Sequence, residues 1–364
     1  MRRDSGRHPC YSDLTPTLSQ AMPRLHFEDF TPGTTTTYGP RTFGQDEIIA
    51  FAREFDPQPM HVDAAGAGRS FYGTLIASGW HLCAASMRML YDGYIGVSAS
   101  MGSPGIDETR WQKPVKPGDT MVLRQHVLER RESKSRPDMG LVLSRSELVN
   151  QHGEICMTQT SWGMMGRRDV APGAGAAAPR KRKPATAAPG GSLAERPVGD
   201  GPGRRAPLLD ELAIGRVMSI GAFTFTPEAI KRFARDWDPQ PFHMDEEAAK
   251  QSAFGGLCAS GWHTASVWMK LMIAHRQRQM EAAAADGEHM AKLGPSPGFR
   301  NLRWLKPVYA GDTISYYSVL ADKRPSASRP QWGLVFSQNV GENQNGERVF
   351  EFMGSVLWAR QAGA

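Results

Sequence analysis

The sequence predicts an α+β protein built as two copies of one unit, each an antiparallel sheet wrapped around a central buried helix, the two joined by a flexible linker. Three observations carry this. The stretch Phe51-Ala-Arg-Glu-Phe-Asp56-Pro-Gln-Pro-Met-His61-Val-Asp63 returns as Phe233-Ala-Arg-Asp-Trp-Asp238-Pro-Gln-Pro-Phe-His243-Met-Asp245, shifted by 182 residues (238 − 56). A second block, Gly73-Thr-Leu-Ile-Ala-Ser78-Gly79-Trp80-His81, returns as Gly255-Gly-Leu-Cys-Ala-Ser260-Gly261-Trp262-His263 at the same shift. Each second block opens an apolar segment long enough for a buried helix, followed by shorter runs separated by turn residues.

Taken in order, residues 1–22 carry charge with no apolar stretch behind it. They are expected to be a disordered extension and not a secretory signal. The first unit should occupy residues 23–168 and begin with a strand and turn over 25–38, bent at Pro32-Gly33. From Gln45, the spacing Ile48, Phe51, Ala52, Phe55 gives one apolar helical face, and Ile230, Phe233, Ala234, Trp237 repeat it after Thr226-Pro227, a cap followed by a first-turn proline. Asp56 and Gln58 each precede a proline, which disfavours helix there, so Asp56 and His61 are expected on a rigid, non-helical turn. Residues 79–91 are apolar on most sides and predict a buried helix, with a counterpart at 261–275. The strands come next, over 105–166, with turns at Lys116-Pro-Gly-Asp119, Pro137-Asp138 and His152-Gly153, and they should form a meander. Trp111 maps onto Trp304 at a shift of 193, so the second unit, residues 208–361, holds eleven extra residues (193 − 182), placed in a helical insertion over 275–294. Residues 169–207, dense in Gly, Pro, Ala and Arg, cannot bury enough apolar surface to fold and predict a disordered tether.

Composition narrows the function. A chain of 364 residues, 40% hydrophobic and 22% charged, suits two or three globular domains. The net charge of +6 is concentrated partly in the tether, where Arg180-Lys-Arg-Lys183 reads as a solvated cluster, so no nucleic-acid partner is expected. A modest basic excess suits a polyanionic ligand. Cys10, Cys83, Cys156 and Cys258 show no metal-ligand spacing and predict reduced thiols in a cytoplasmic protein without a metal site. No apolar run reaches 18 residues, so no membrane span is expected.

The repeated blocks also carry chemistry. Asp56 with His61, and Asp238 with His243, could hold an acceptor carboxylate and an imidazole against one small volume, as general acid–base catalysis requires. The competing reading is a helix-stopping turn with a capping aspartate and a core histidine. Ser78 and Ser260 are good N-caps, and Gly79 and Gly261 would leave free N–H groups at a helix start, where an oxyanion is stabilised. Alternatively, those glycines serve only close packing. Basic residues with serines recur over 130–136 and 324–329, as phosphate contacts or as solubilising hairpin tips. Met60, Trp80, Phe242 and Trp262 flank the motifs as pocket walls or plain core.

An Asp, a Pro, a His five residues after the Asp and a Gly eighteen residues after that His (79 − 61, 261 − 243) together resemble the MaoC-like dehydratases, the R-specific enoyl-CoA hydratase group of hot-dog folds. The resemblance covers both units. Two departures stand out: Gln58 and Gln240 take the place of the family's usual Asn, and Met87 and Met269 fall where the family often carries a serine on the central helix. The resemblance implies tandem hot-dog domains and reversible hydration of 2-enoyl-CoA to 3-hydroxyacyl-CoA thioesters of the R series. It implies Asp56, His61, Asp238 and His243 as catalytic residues, with Ser78, Gly79, Ser260 and Gly261 at the oxyanion and substrate site. Coenzyme A would enter as part of an acyl-CoA substrate, with no other cofactor. Since both Asp/His pairs are present, two sites per chain are expected, in halves paired edge to edge as an intrachain pseudo-dimer, and a homodimer of whole chains is left open. The competitors are an acyl-CoA thioesterase and a non-catalytic acyl-thioester binder. A thioesterase would want an acidic residue on the central helix, absent from 79–91 and 261–273, and a binder would be expected to have lost one Asp/His pair.

Overall fold

The computed structural model describes residues 25–170, 193, 207–288 and 290–360. The expected N-terminal extension and most of the expected tether lie outside the described residues.

The first half runs β1 (Thr35–Thr42), α1 (Gln45–Phe55), α2 (Pro59–Val62), α3 (Gly79–Gly93), β2 (Gly105–Trp111), β3 (Thr120–Glu132), β4 (Met139–Val149) and β5 (Ile155–Gly166). In the second half come β6 (Val217–Thr224), α4 (Pro227–Trp237), α5 (Pro241–Met244), α6 (Glu246–Gln251), α7 (Gly261–Ala285), β7 (Gly298–Trp304), β8 (Thr313–Pro325), β9 (Trp332–Glu342) and β10 (Arg348–Ala359). The faces expected of α1 and α4 are the buried ones: Ile48, Phe51, Ala52 and Phe55 in α1, and Ile230, Phe233, Ala234 and Trp237 in α4. Thr226 caps α4 by accepting from the Ala229 N–H at 3.2 Å, with Pro227 in the first turn.

Several expectations need correction. The leading strand begins at Thr35 and not at residue 25: the chain bends at the expected Pro32-Gly33, with Gly33 at φ +88°, and pairs with β3 from there on. The eleven extra residues do fall within the helical insertion expected over 275–294: they mostly lengthen α7, which runs on through an alanine-rich stretch to Ala285, where α3 stops at Gly93. The strands, however, are not a plain meander. In the first half β3, β4 and β5 follow one another, as β8, β9 and β10 do in the second, while β1 lies outside β3 and β2 crosses to the far side of β5.

That crossing joins the halves. β2 pairs antiparallel with β7, giving one ten-stranded sheet in the order β1-β3-β4-β5-β2-β7-β10-β9-β8-β6, the intrachain pseudo-dimer expected of edge-to-edge pairing. At the junction Gly105 and Gly298, equivalent at the 193 shift, face Arg303 and Arg110. A Cβ on Gly105 would stand 2.1 Å from the Leu302 carbonyl oxygen, and one on Gly298 would stand 2.0 Å from that of Thr109. Glycine is required there because the backbones approach too closely for any side chain.

One apolar core spans both halves. Trp80 of α3 stacks on Phe299 of β7 at 5.0 Å and lies 6.0 Å from Trp268 of α7, while Phe51 meets Trp237 and Phe55 meets Phe233, each at 5.5 Å. Such packing makes the interface between the halves part of the fold. Leu193 corrects the tether expectation at one point: it is buried against Val217, Tyr317 and Val340, and its N–H reaches both Glu342 carboxylate oxygens at 3.1 and 3.2 Å. Cys83, Cys156 and Cys258 are buried free thiols. Among the described residues no helix is long and apolar enough to cross a membrane.

Candidate active site

α1 ends at Asp56, held as its C-cap at φ −152°, ψ 63°. Gln58 is extended, as a residue before proline should be. The chain then departs from expectation: Pro59 starts the single helical turn α2, and His61 lies within it, since proline's fixed φ suits a first helical position. α5 repeats the arrangement with Pro241 and His243.

This brings the expected pairs together. His61 Nε2 lies 3.5 Å from Asp56 Oδ2, and His243 Nε2 lies 3.5 Å from Asp238 Oδ2, all four side chains being buried. Each imidazole is aimed by its other nitrogen: Nδ1 of His61 donates to the Ile76 carbonyl at 2.8 Å, and Nδ1 of His243 to that of Cys258 at 2.7 Å. With a backbone carbonyl as orienting partner, no serine is needed at Met87 or Met269.

Ser78 and Ser260 each do two things. Their hydroxyls accept from the N–H of Trp80 and Trp262 at 3.2 Å, capping α3 and α7, and donate to Asp56 Oδ2 and Asp238 Oδ2 at 2.6 Å. Gln58 and Gln240, noted in the sequence only as departures from a family pattern, donate their Nε2 to the other carboxylate oxygens at 2.8 and 2.9 Å. Sequence reasoning missed that role; the signal was their identical position two residues after each aspartate.

At the second pair burial and charge oppose each other. Burial works to raise the Asp238 carboxyl, but His243 beside it and the donors Ser260 and Gln240 outweigh this and hold it below the usual carboxylate range. His243 is opposed by burial too, yet Asp238 pushes it up to about 10, so the pair is carboxylate and imidazolium at neutral pH.

Among the described residues the N–H groups of Gly79 and Gly261 have no protein acceptor, as the first donors of α3 and α7. The close-packing reading of these glycines holds. A Cβ on Gly79 would stand 2.4 Å from the Trp111 ring, and one on Gly261 would stand 2.2 Å from that of Trp304, so the missing side chain admits an indole while the N–H stays open.

Each pair opens into a cavity built by both halves. Asp56, His61, Gly79, Met60 and Trp80 share a cavity of about 580 Å³ with Met269, Met272 and Arg276 of α7. Asp238, His243, Gly261, Phe242 and Trp262 share one of about 310 Å³ with Met87, Leu90 and Tyr94 of the first half. The four large residues flanking the motifs line the cavities, and Trp80, Phe242 and Trp262 belong to the core as well. The basic hairpin tips are partly engaged: Arg130 donates to the Glu28 carbonyl at 2.6 Å, Arg136 pairs with Asp138 at 2.7 Å, and Arg329 lies 5.5 Å over the Phe71 ring, next to cavity-lining Tyr72.

Comparison with known proteins fits this geometry. An uncharacterized Bacillus subtilis protein, YdeM, is 31% identical over 152 residues, which is 42% of this chain and 99% of that protein. Protein MaoC of Klebsiella aerogenes is 31% identical over 102 residues, 28% of this chain and 30% of its own length. Mesaconyl-CoA hydratase of Cereibacter sphaeroides is 39% identical over 67 residues, 18% of this chain and 19% of its own. In both of these the match spans under a third of the relative. Among solved structures, a MaoC domain protein from Chloroflexus aurantiacus aligns with TM-score 0.72 at 19% identity, over 95% of this chain and all of that one. A Mycobacterium tuberculosis protein described as a double hotdog fold aligns with TM-score 0.64 at 15% identity, over 92% and 98% of the two chains. These two show the fold, tandem hot-dog domains. The MaoC like domain family matches residues 28–145 and again residues 212–331, more than half of the chain, and the protein therefore belongs to the MaoC-like dehydratase family.

Proposed function

We propose that this protein reversibly hydrates 2-enoyl-CoA thioesters to 3-hydroxyacyl-CoA thioesters at two sites, one in each half. The observation that carries the reading is the convergence of a carboxylate, an imidazole and an open helix N-terminus on one cavity, twice. A water held between Asp238 and His243 Nε2 adds its oxygen to C3 of the enoyl group while the carboxylate takes its proton. The C2=C3 π electrons move onto the thioester oxygen, which the Gly261 N–H receives at the positive end of α7. C2 then takes a proton from the imidazolium, and the proton on Asp238 passes back to His243. Every bond is accounted for without a metal or redox cofactor. Matching contacts around Asp56, His61 and Gly79 support the same sequence of steps there. The R configuration of the product rests only on membership of the MaoC-like family.

The test is loss of enoyl-thioester absorbance in wild type, Asp56→Asn, Asp238→Asn and the double variant. Two working sites predict that each single variant keeps part of the rate and the double loses at least about a hundredfold. If one single variant abolishes all activity, only that half is catalytic. Binding without any hydration by wild type would leave a non-catalytic acyl-thioester binder.

A further inference from the structure

The two cavities are related by the internal repeat, so their differences can be read position by position. At the 182 shift Arg276 corresponds to Tyr94, and at the 193 shift Ser318 corresponds to Gln125. In the smaller cavity the Tyr94 hydroxyl accepts from Gln125 Nε2 at 3.1 Å, and Gln125 Oε1 accepts from Tyr38 at 3.3 Å, closing that wall with a satisfied, uncharged network. The larger cavity has a guanidinium instead. Arg276 has no carboxylate partner among the described residues; its guanidinium carbon lies 5.3 Å from the Trp358 ring centroid. Burial lowers it to about 10, which leaves it charged at neutral pH. Apart from Asp56, no acidic side chain lines this cavity among the described residues, and Lys292 lines it too.

Half-buried in the cavity wall with no ion-pair partner among the described residues, the Arg276 guanidinium is placed to receive an anionic group of a ligand. Arg276 lies eight residues beyond Trp268, the α7 residue that touches Trp80 beside the oxyanion N–H, or roughly 12 Å along the helix axis. Between them Met269, Met272 and Ile273 present a flexible apolar wall suited to a hydrocarbon chain. We infer that the Asp56/His61 site takes acyl-CoA thioesters whose acyl chain ends in a carboxylate, bound by Arg276, while the Asp238/His243 site takes shorter, uncharged acyl groups. Turnover of these thioesters rests on the proposed hydration, whereas their binding by Arg276 does not. The guanidinium geometry suits a carboxylate through two parallel N–H donors.

Calorimetry on the Asp56→Asn/Asp238→Asn protein, with free coenzyme A, octanoyl-CoA and the mono-CoA thioester of octanedioic acid, tests the recognition without turnover. The carboxylate-ended ligand should bind at least about tenfold tighter than octanoyl-CoA. Arg276→Met should erase that preference, and Arg276→Lys should keep part of it. Equal affinities before and after Arg276→Met would overturn the inference. So would an equal weakening of free coenzyme A, which would assign the guanidinium to the coenzyme phosphates. Hydration of the matching pair of 2-enoyl thioesters by Asp238→Asn forms the second arm. If neither is hydrated, the proposed reaction fails at this site while calorimetry still decides the role of Arg276.

Discussion

Asp238 and His243 show how little separates a catalytic pair from a structural ion pair. Two buried side chains 3.5 Å apart stabilise each other's charge, and that coupling makes stability depend on pH. His243 titrates at about 10 in the fold, against about 6.5 in an unfolded chain. Its contribution is therefore complete below about pH 6.5 and disappears as the pH climbs to about 10. Asp238 is held below the ordinary range, so its contribution is present above about pH 4 and fails on further acidification. His243→Gln should consequently lower the melting temperature most between about pH 4 and pH 6.5, and least near pH 10. Thermal unfolding of both proteins across this range checks it; a constant difference would mean that packing, not charge, is what His243 supplies. The two carboxylate-to-histidine spacings were plain in the chain. The glutamine and serine that hold each carboxylate were not assigned to it, because the serine's role depends on a contact across 22 residues (78 − 56, 260 − 238) that no local pattern encodes.

The β2 and β7 strands carry the junction, and glycine is the residue on which it turns. Gly298 has φ +140° and no room for a Cβ against the Thr109 carbonyl. Gly298→Ala should cost about 1–3 kcal/mol from backbone strain alone, and more if the strands must separate. Denaturant unfolding measures this, and a near-neutral effect would show that the junction can shift. Turn residues made the strand boundaries legible around β3, β4 and β5. That β2 leaves the meander was hidden, because an edge's partner is chosen by the whole sheet and not by the strand's own alternation.

At the scale of the molecule, the halves depend on each other twice, for the core and for the sites. Removing one half would expose the β2 edge together with Trp80 and Phe55, an apolar face that water tolerates poorly. Residues 25–170 expressed alone should accordingly self-associate. The repeat relates β2 to β7, so a two-fold dimer through β2 is the specific expectation. Light scattering after gel filtration reads the outcome, and a stable monomer would contradict it.

Duplication, the Asp/Pro/His spacing, the capped buried helix and the strand punctuation are all local, set by proline and glycine geometry and by apolar periodicity, and the chain displayed them without a structure. What required the tertiary arrangement was everything made between segments distant in sequence. The fold supplies the carbonyl that aims each histidine and the loan of each half's helix to the other's cavity. It also turns one internal repeat into two unlike pockets, where Arg276 stands in one and Tyr94 in the other. Spacing fixes which residues can reach a place; only packing decides what they meet there.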